Sequence, residues 1–181
     1  ENHQQVLHNL GTAIAIFGAD QRLEFFNNAY VKLWDLDETF LRSRPKIGEL
    51  LEQVREDRKI PEQANFPAFK AARLAMFTSL LDPLEELEHL PDGKTLRVVI
   101  TPHPLGGLLY TWEDVTASLA LERSYNTLIA VQKETLDNLY EAVAVIGGDG
   151  RLQLSNPAFG RVWQLGEDEL ATAPHISELV E

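Results

Sequence analysis

The chain repeats itself. A shift of 129 positions lays Leu7–Glu52 on Leu136–Glu181 without a gap, and 20 of the 46 aligned positions are identical. Asp20/Asp149, Arg22/Arg151, Leu23/Leu152, Asn27/Asn156, Trp34/Trp163, Pro45/Pro174 and Ile47/Ile176 are among them. Self-similarity at one fixed spacing marks a duplicated structural unit. The fold must therefore be a single module used twice in series, the second copy cut short at Glu181. Because the chain opens on Glu1 rather than Met, it is read as a piece of a longer protein.

Each copy opens with the same local signals. Thr12–Phe17 and Glu141–Ile146 are short runs rich in Ile, Val and Ala, and the turns 18–21 and 147–150 carry Gly and Asp where a tight hairpin needs them. Second strands are predicted over Arg22–Phe26 and Arg151–Ser155. Asn156-Pro157 places a capping side chain ahead of a proline in the first helical turn, and Asn27-Asn28 does the same less emphatically. Trp34 and Trp163 are expected on the buried side of the helices that follow.

The first copy continues. A short helix is predicted over Ile47–Arg55 and a longer one over Glu62–Leu81, where Phe66, Phe69, Leu74, Phe77 and Leu80 fall near helical spacing. Strands are predicted over Leu84–Leu90 and Lys94–Thr101 around the turn Pro91-Asp92-Gly93, and over Leu108–Val115 after Gly106-Gly107. The order is two strands, helices, three strands. It implies an α+β domain on a five-stranded antiparallel sheet with helices on one face. In the first strand Ile14 and Ile16 face one side and Ala13, Ala15 and Phe17 the other, so both sides need a cover. Residues 1–11 are expected to cap the second side, unless a partner chain does.

These residues resemble the PAS family of sensory modules. The element order is the PAS order. Asp-x-Arg-Leu followed by Asn-x-Ala-(Tyr/Phe), seen as Asp20–Tyr30 and Asp149–Phe159, resembles its entry hairpin and first helix. Asp92-Gly93-Lys94-Thr95 resembles its central hairpin, and Glu113-Asp114-Val115-Thr116 resembles the Asp-Ile-Thr signature that ends the last strand. The family often has Glu three residues after that Thr; here Leu119 stands there. The likeness covers Leu7–Thr116 and, as a truncated copy, Leu136–Glu181. Tandem modules of this kind resemble the sensor segments of bacterial two-component histidine kinases, including alphaproteobacterial cell-cycle ones. The domain map is then an N-terminal linker or capping helix (1–11), a first module (12–116), a helical linker (117–139) and the start of a second module (140–181).

That linker, Ala117–Leu139, holds neither Pro nor Gly. Leu121, Tyr125, Leu128, Gln132, Leu136 and Leu139 step by 4, 3, 4, 4 and 3, a heptad seam with one extra four-residue step. It is read either as an amphipathic helix lying along its own domain or as a parallel coiled coil joining two chains into a homodimer, with Gln132 loosening the seam. In the relay reading Asp114 and Thr116 fix the strand–helix corner by local hydrogen bonds and pass conformational change into this helix. The plain alternative for both residues is helix capping.

Composition removes many other functions. Sixteen Lys and Arg against 28 Asp and Glu give a net charge of −12, with no basic cluster to displace counterions from phosphates, so no nucleic-acid partner is expected. Zero cysteines exclude disulfides, thiolate metal sites and a flavin–thiol adduct, and suit a reducing, cytoplasmic setting. Apolar runs fall short of the ~20 residues of a membrane span, so this segment is expected to touch no membrane, although its parent could be anchored. Glu85-Glu86-Glu88 and Glu167-Asp168-Glu169 read as solvated faces and helix starts. His3, His8, His89, His103 and His175 have no metal-ligand spacing, and no catalytic constellation or metal site emerges. A haem held through the long helix is not expected, since Glu62–Leu81 contains no His.

Candidates for a pocket between sheet and helices are Ile14, Phe26, Trp34, Phe69, Met76, Val98, Ile100, Tyr110 and Trp112. They could fill the core or admit a small organic ligand of unknown identity; no cofactor is assigned. The chain is thus expected to be a non-catalytic sensory and dimerisation module, with a response regulator or kinase as further partner. The alternatives are a passive interaction scaffold with a filled core and a haem or flavin sensor.

Overall fold

The computed structural model describes residues 11–180, so the capping segment expected over 1–11 lies, Gly11 apart, outside the described residues. Contacts divide the chain into two units, one ending at Leu119 and one beginning at Ala120.

In the first unit β1 (Ala13–Phe17), β2 (Leu23–Phe26), β3 (Leu84–His89), β4 (Thr95–Pro102) and β5 (Leu108–Asp114) form one antiparallel sheet in the order β2-β1-β5-β4-β3. Between β2 and β3 run α1 (Asn28–Trp34), α2 (Glu38–Arg42), α3 (Ile47–Glu56) and α4 (Phe66–Ser79). Period-two alternation decides the layering. Ala13, Ala15 and Phe17 pair with Trp112, Tyr110 and Leu108 and enter the core with them, whereas Ile14 and Ile16 pair with Thr111 and Leu109 on the opposite face. The helices cover the inner face, delivering Tyr30, Trp34, Leu41, Ile47, Leu50, Val54 and Phe66 to the same core. Where β5 enters beside β1, Gly107 has φ +93 and a Cβ there would stand 2.1 Å from the Phe17 carbonyl oxygen. Only glycine fits that approach.

Caps explain the helix boundaries. The Asn27 side-chain oxygen accepts from Tyr30 N at 3.0 Å and from Ile14 N at 2.9 Å, while its amide nitrogen donates to Thr12 O at 2.8 Å. One buried amide thus starts α1 and ties it to β1. The long helix of this unit begins at Phe66, not Glu62, because Asn65 caps it by accepting from Ala68 N at 3.0 Å and Pro67 sits in its first turn.

The helix α5 (Thr116–Asp137) is 22 residues long and buries no side chain. It begins at Thr116 because Asp114 Oδ1 accepts from Thr116 N at 3.0 Å. It stops at Asp137, short of Leu139; there the Leu136 carbonyl accepts from Leu139 N at 3.2 Å in a tighter closing turn and from Asn156 Nδ2 at 3.1 Å.

The second unit contains β6 (Ala144–Ile146), β7 (Leu152–Ser155), α6 (Pro157–Trp163), α7 (Glu167–Ala171) and α8 (Ile176–Leu179). The repeat extends to fine detail. Asn156 Oδ1 accepts from Val143 N and Phe159 N as Asn27 does from Ile14 N and Tyr30 N. The isolated bridge Arg22↔Lys46 recurs as Arg151↔His175, and the β-bulge at Ile16/Phe17 recurs at Val145/Ile146. Two expectations fail here for one reason. β6 is three residues, not the six of Glu141–Ile146, and Trp163 is 48% exposed where Trp34 is 4%. In the first unit β5 flanks β1 and supplies Trp112, which meets Trp34 edge-on at 5.9 Å; among the described residues of the second unit no counterpart of β5 exists.

Candidate functional site: a strand–helix corner and an internal cavity

The corner is built by alternating donors and acceptors. Thr116 Oγ1 donates to Asp114 Oδ1 at 2.6 Å and accepts from Thr95 N at 2.9 Å, while Val115 N donates to Thr95 O at 3.0 Å. One hydroxyl therefore connects the end of β5, the start of β4 and the first residue of α5. These bonds favour the charged carboxylate and hold Asp114 below the usual Asp range, the Thr116 hydroxyl contributing most and the Thr116 amide next. Asp114 and Thr116 thus stand together, as their order in the sequence suggested.

The cavity lies between α1, α3, α4 and the inner face of the sheet and has a volume of about 60 Å³. Trp34, Phe69, Val98, Tyr110 and Trp112 line it. Trp112 organises this wall, its ring 5.3 Å from those of Tyr30 and Tyr110. The other four pocket candidates are elsewhere. Ile14 faces the opposite side of the sheet. Ile100 is fully buried between Leu84 and Tyr110 in the ladder. Phe26 and Met76 pack, half-buried, against the core. Haem and flavin do not fit a space this small, since drug-sized ligands occupy ~300–1,000 Å³. Among the described residues no group of three or more His, Asp or Glu side chains could hold a metal.

The cavity also has a polar end that sequence reading missed. Glu86 and Glu88 do not belong to a solvated face. Leu84 ladders with Ile100, and alternation then turns Glu86 and Glu88 inward with it, opposite Val98 and Leu96. Glu85 alone of the three points outward, where it accepts from Arg97 Nε at 2.6 Å. Arg73 of α4 meets the pair: its Nη2 donates to Glu86 Oε1 and its guanidinium lies over the Phe69 ring at 5.1 Å. Arg73, Glu88 and Tyr110 all line the cavity. Burial pushes the Glu88 carboxyl above its ordinary range despite Arg73 nearby, and burial pushes the Tyr110 phenol up to about 12. The signal was present: Arg73 sits four residues after Phe69 and four before Phe77, on the apolar stripe of α4.

The predicted linker side chains Leu121, Tyr125 and Leu128 are 73%, 62% and 56% exposed. Gln132 is exposed too, Leu136 is half-buried, and Leu139 lies beyond the helix end. No helix among the described residues is long and apolar enough to cross a membrane.

A family model described as PAS fold matches residues 7–123. Over all 181 residues the chain is 43% identical to the sensor protein DivL of Caulobacter vibrioides and spans 24% of that protein's length. Among solved structures it is similar to a domain of a sensory box sensor histidine kinase/response regulator from Geobacter sulfurreducens, at 19% identity over 62% of this chain and 91% of that one, TM-score 0.44. It is also similar to the PAS domain of nitrogen regulation protein NR(II) from Vibrio parahaemolyticus, at 15% identity over 63% and 98% of the two chains, TM-score 0.41. With the family model covering more than half of its residues and the five-stranded sheet in place, the chain belongs to the PAS-fold family.

Proposed function

We propose that this chain is a non-catalytic sensory and dimerisation segment of a histidine-kinase-like signalling protein, passing a change in its first unit into α5 and onward. The observation that carries the reading is the Thr116 hydroxyl, bonded at once to Asp114 and to the amide of Thr95. A shift of β4 against β5 must alter that junction, and α5 starts on it. The likeness to a sensor protein supports the same role. Asp114→Ala in the full-length protein should uncouple output from stimulus while leaving the fold in place; normal regulated output in that variant sinks the relay.

The seam Leu121, Tyr125, Leu128, Gln132, Leu136 supports a homodimer. Its first three side chains leave most of their apolar surface in water, and a second copy of the same helix, packed in parallel, would cover it. The 181-residue chain should sediment as a dimer at micromolar concentration. A monomer there removes the coiled coil. A response regulator or partner kinase completes the proposal, in a cytoplasmic setting.

The small volume of the cavity favours a second reading, a passive interaction scaffold with a filled core. It predicts that no small molecule enters the first unit.

A further inference from the structure

We infer that the cavity of the first unit binds a small uncharged carbonyl compound of about amide size, its oxygen accepting hydrogen bonds from Arg73 Nη1 and Tyr110 Oη. The inference rests on the sensory reading above only for its consequence; binding itself is argued from the site.

The argument begins with unmet hydrogen bonds. Arg73 Nη1 and Tyr110 Oη are the buried side-chain atoms of the described residues that have no partner. Tyr110 is only 5% exposed. Buried polar groups in native proteins are nearly always paired, and these two belong to residues lining the same cavity. Both can donate, so what they lack is an acceptor oxygen. Glu88, on the same wall, supplies an acceptor for a donor on the other end of such a molecule.

Charge then selects among oxygen ligands. The Arg73 cation is already matched by Glu86, with Glu88 close enough to be influenced by it. A carboxylate ligand would be a third negative group around one positive group in a space that already disfavours the Glu88 anion. A neutral carbonyl carries no such penalty. Size narrows the class further. A cavity of about 150 Å³ takes up benzene, so about 60 Å³ admits only a molecule of a few heavy atoms. The remaining wall, Trp34, Phe69, Val98 and Trp112, is apolar and matches a methyl end. An amide unites these properties: an acceptor, an N–H donor and a short apolar group.

The test uses the 181-residue chain and three probes of similar bulk: acetamide, acetate and xenon. The readout is the indole N–H resonances in ¹H–¹⁵N NMR. Trp34 and Trp112 line the cavity, while Trp163 belongs to the other unit and serves as an internal control. Acetamide titrated through the millimolar range should shift the first two signals saturably and leave the third. Acetate should bind more weakly. Tyr110→Phe and Arg73→Lys should each weaken acetamide about tenfold, with xenon uptake retained as proof that fold and cavity persist. The inference is overturned if acetate outcompetes acetamide, if both variants bind acetamide like the parent, if all three indoles respond alike, or if only xenon enters. Acetamide binding with no change in the motion of α5 would refute the relay and leave the ligand site standing.

Discussion

Thr116→Val isolates the corner with little change in volume. The substitution removes the hydroxyl that donates to Asp114 and accepts from Thr95 N, while Asp114 still caps the backbone amide of residue 116. Thr95 is buried, so its N–H loses its acceptor where water does not easily replace it. A buried donor left unpaired costs about 1–3 kcal/mol. Amide hydrogen exchange reads this locally. At about 1.4 kcal/mol per tenfold, exchange of the Thr95 amide should accelerate roughly 5- to 150-fold, and the Val115 and Leu119 amides, which bond Thr95 O and Val115 O, should follow. Leu23, bonded to Pro45 O at the other edge of the sheet, should keep its protection. If Thr95 and Leu119 exchange as in the parent, the hydroxyl does not hold strand to helix, and the corner is an ordinary cap.

Further expectations follow from the same contacts. Glu88 has a carboxyl pKa raised by burial, so the folded state holds its proton more tightly than the unfolded state, and stability from this group falls as pH rises through its folded pKa. Glu88→Gln should therefore gain stability at pH 7, and the gain should vanish in denaturant titrations below about pH 4, under the unfolded value. Asp114 is the opposite case. Its lowered pKa gives a contribution present above the unfolded value and lost as pH falls through the folded one, so Leu119 amide protection should drop in acid and Asp114→Asn should abolish that dependence. Gly107→Ala places a methyl against the Phe17 carbonyl at a positive φ and should destabilise by more than about 1 kcal/mol, seen as a lower thermal midpoint for the Trp112 environment. Asn156→Ala removes the donors to Leu136 O and Glu141 O and should cost about 1–2 kcal/mol, read as faster exchange at Val143 and Phe159.

Most of the architecture was legible because it is written locally. Alternation in β1, the Asn caps before α1 and α6, and the glycine-bearing turns each specify one element, and the repeat doubled every signal. The strand order could be inferred only through family resemblance, since pairing of β1 with β5 is set by contacts nearly a hundred residues apart. Boundaries failed where a side chain from elsewhere joins the closing turn, as Asn156 does at the end of α5. In the cavity the aromatic wall was visible, since large apolar residues announce a core. Its polar end was not, because Glu86 and Glu88 look like a solvated acidic run until Leu84 fixes the face. Arg73 stands on the apolar stripe of α4, but its partner Glu86 is brought to it only by the register of β3 on β4.

Spin labels at Ser118 and Lys133, diluted with unlabelled chain, test the central claim most directly. Both positions lie in α5, and fifteen residues at 1.5 Å each separate their backbones by about 22 Å. A transmitting helix gives one narrow distance distribution near that value, unchanged in width when Asn156→Ala loosens the start of the second unit. A broad distribution, or a major population well short of 20 Å, would mean that α5 bends or frays between the labels and carries nothing from the Thr116 corner onward.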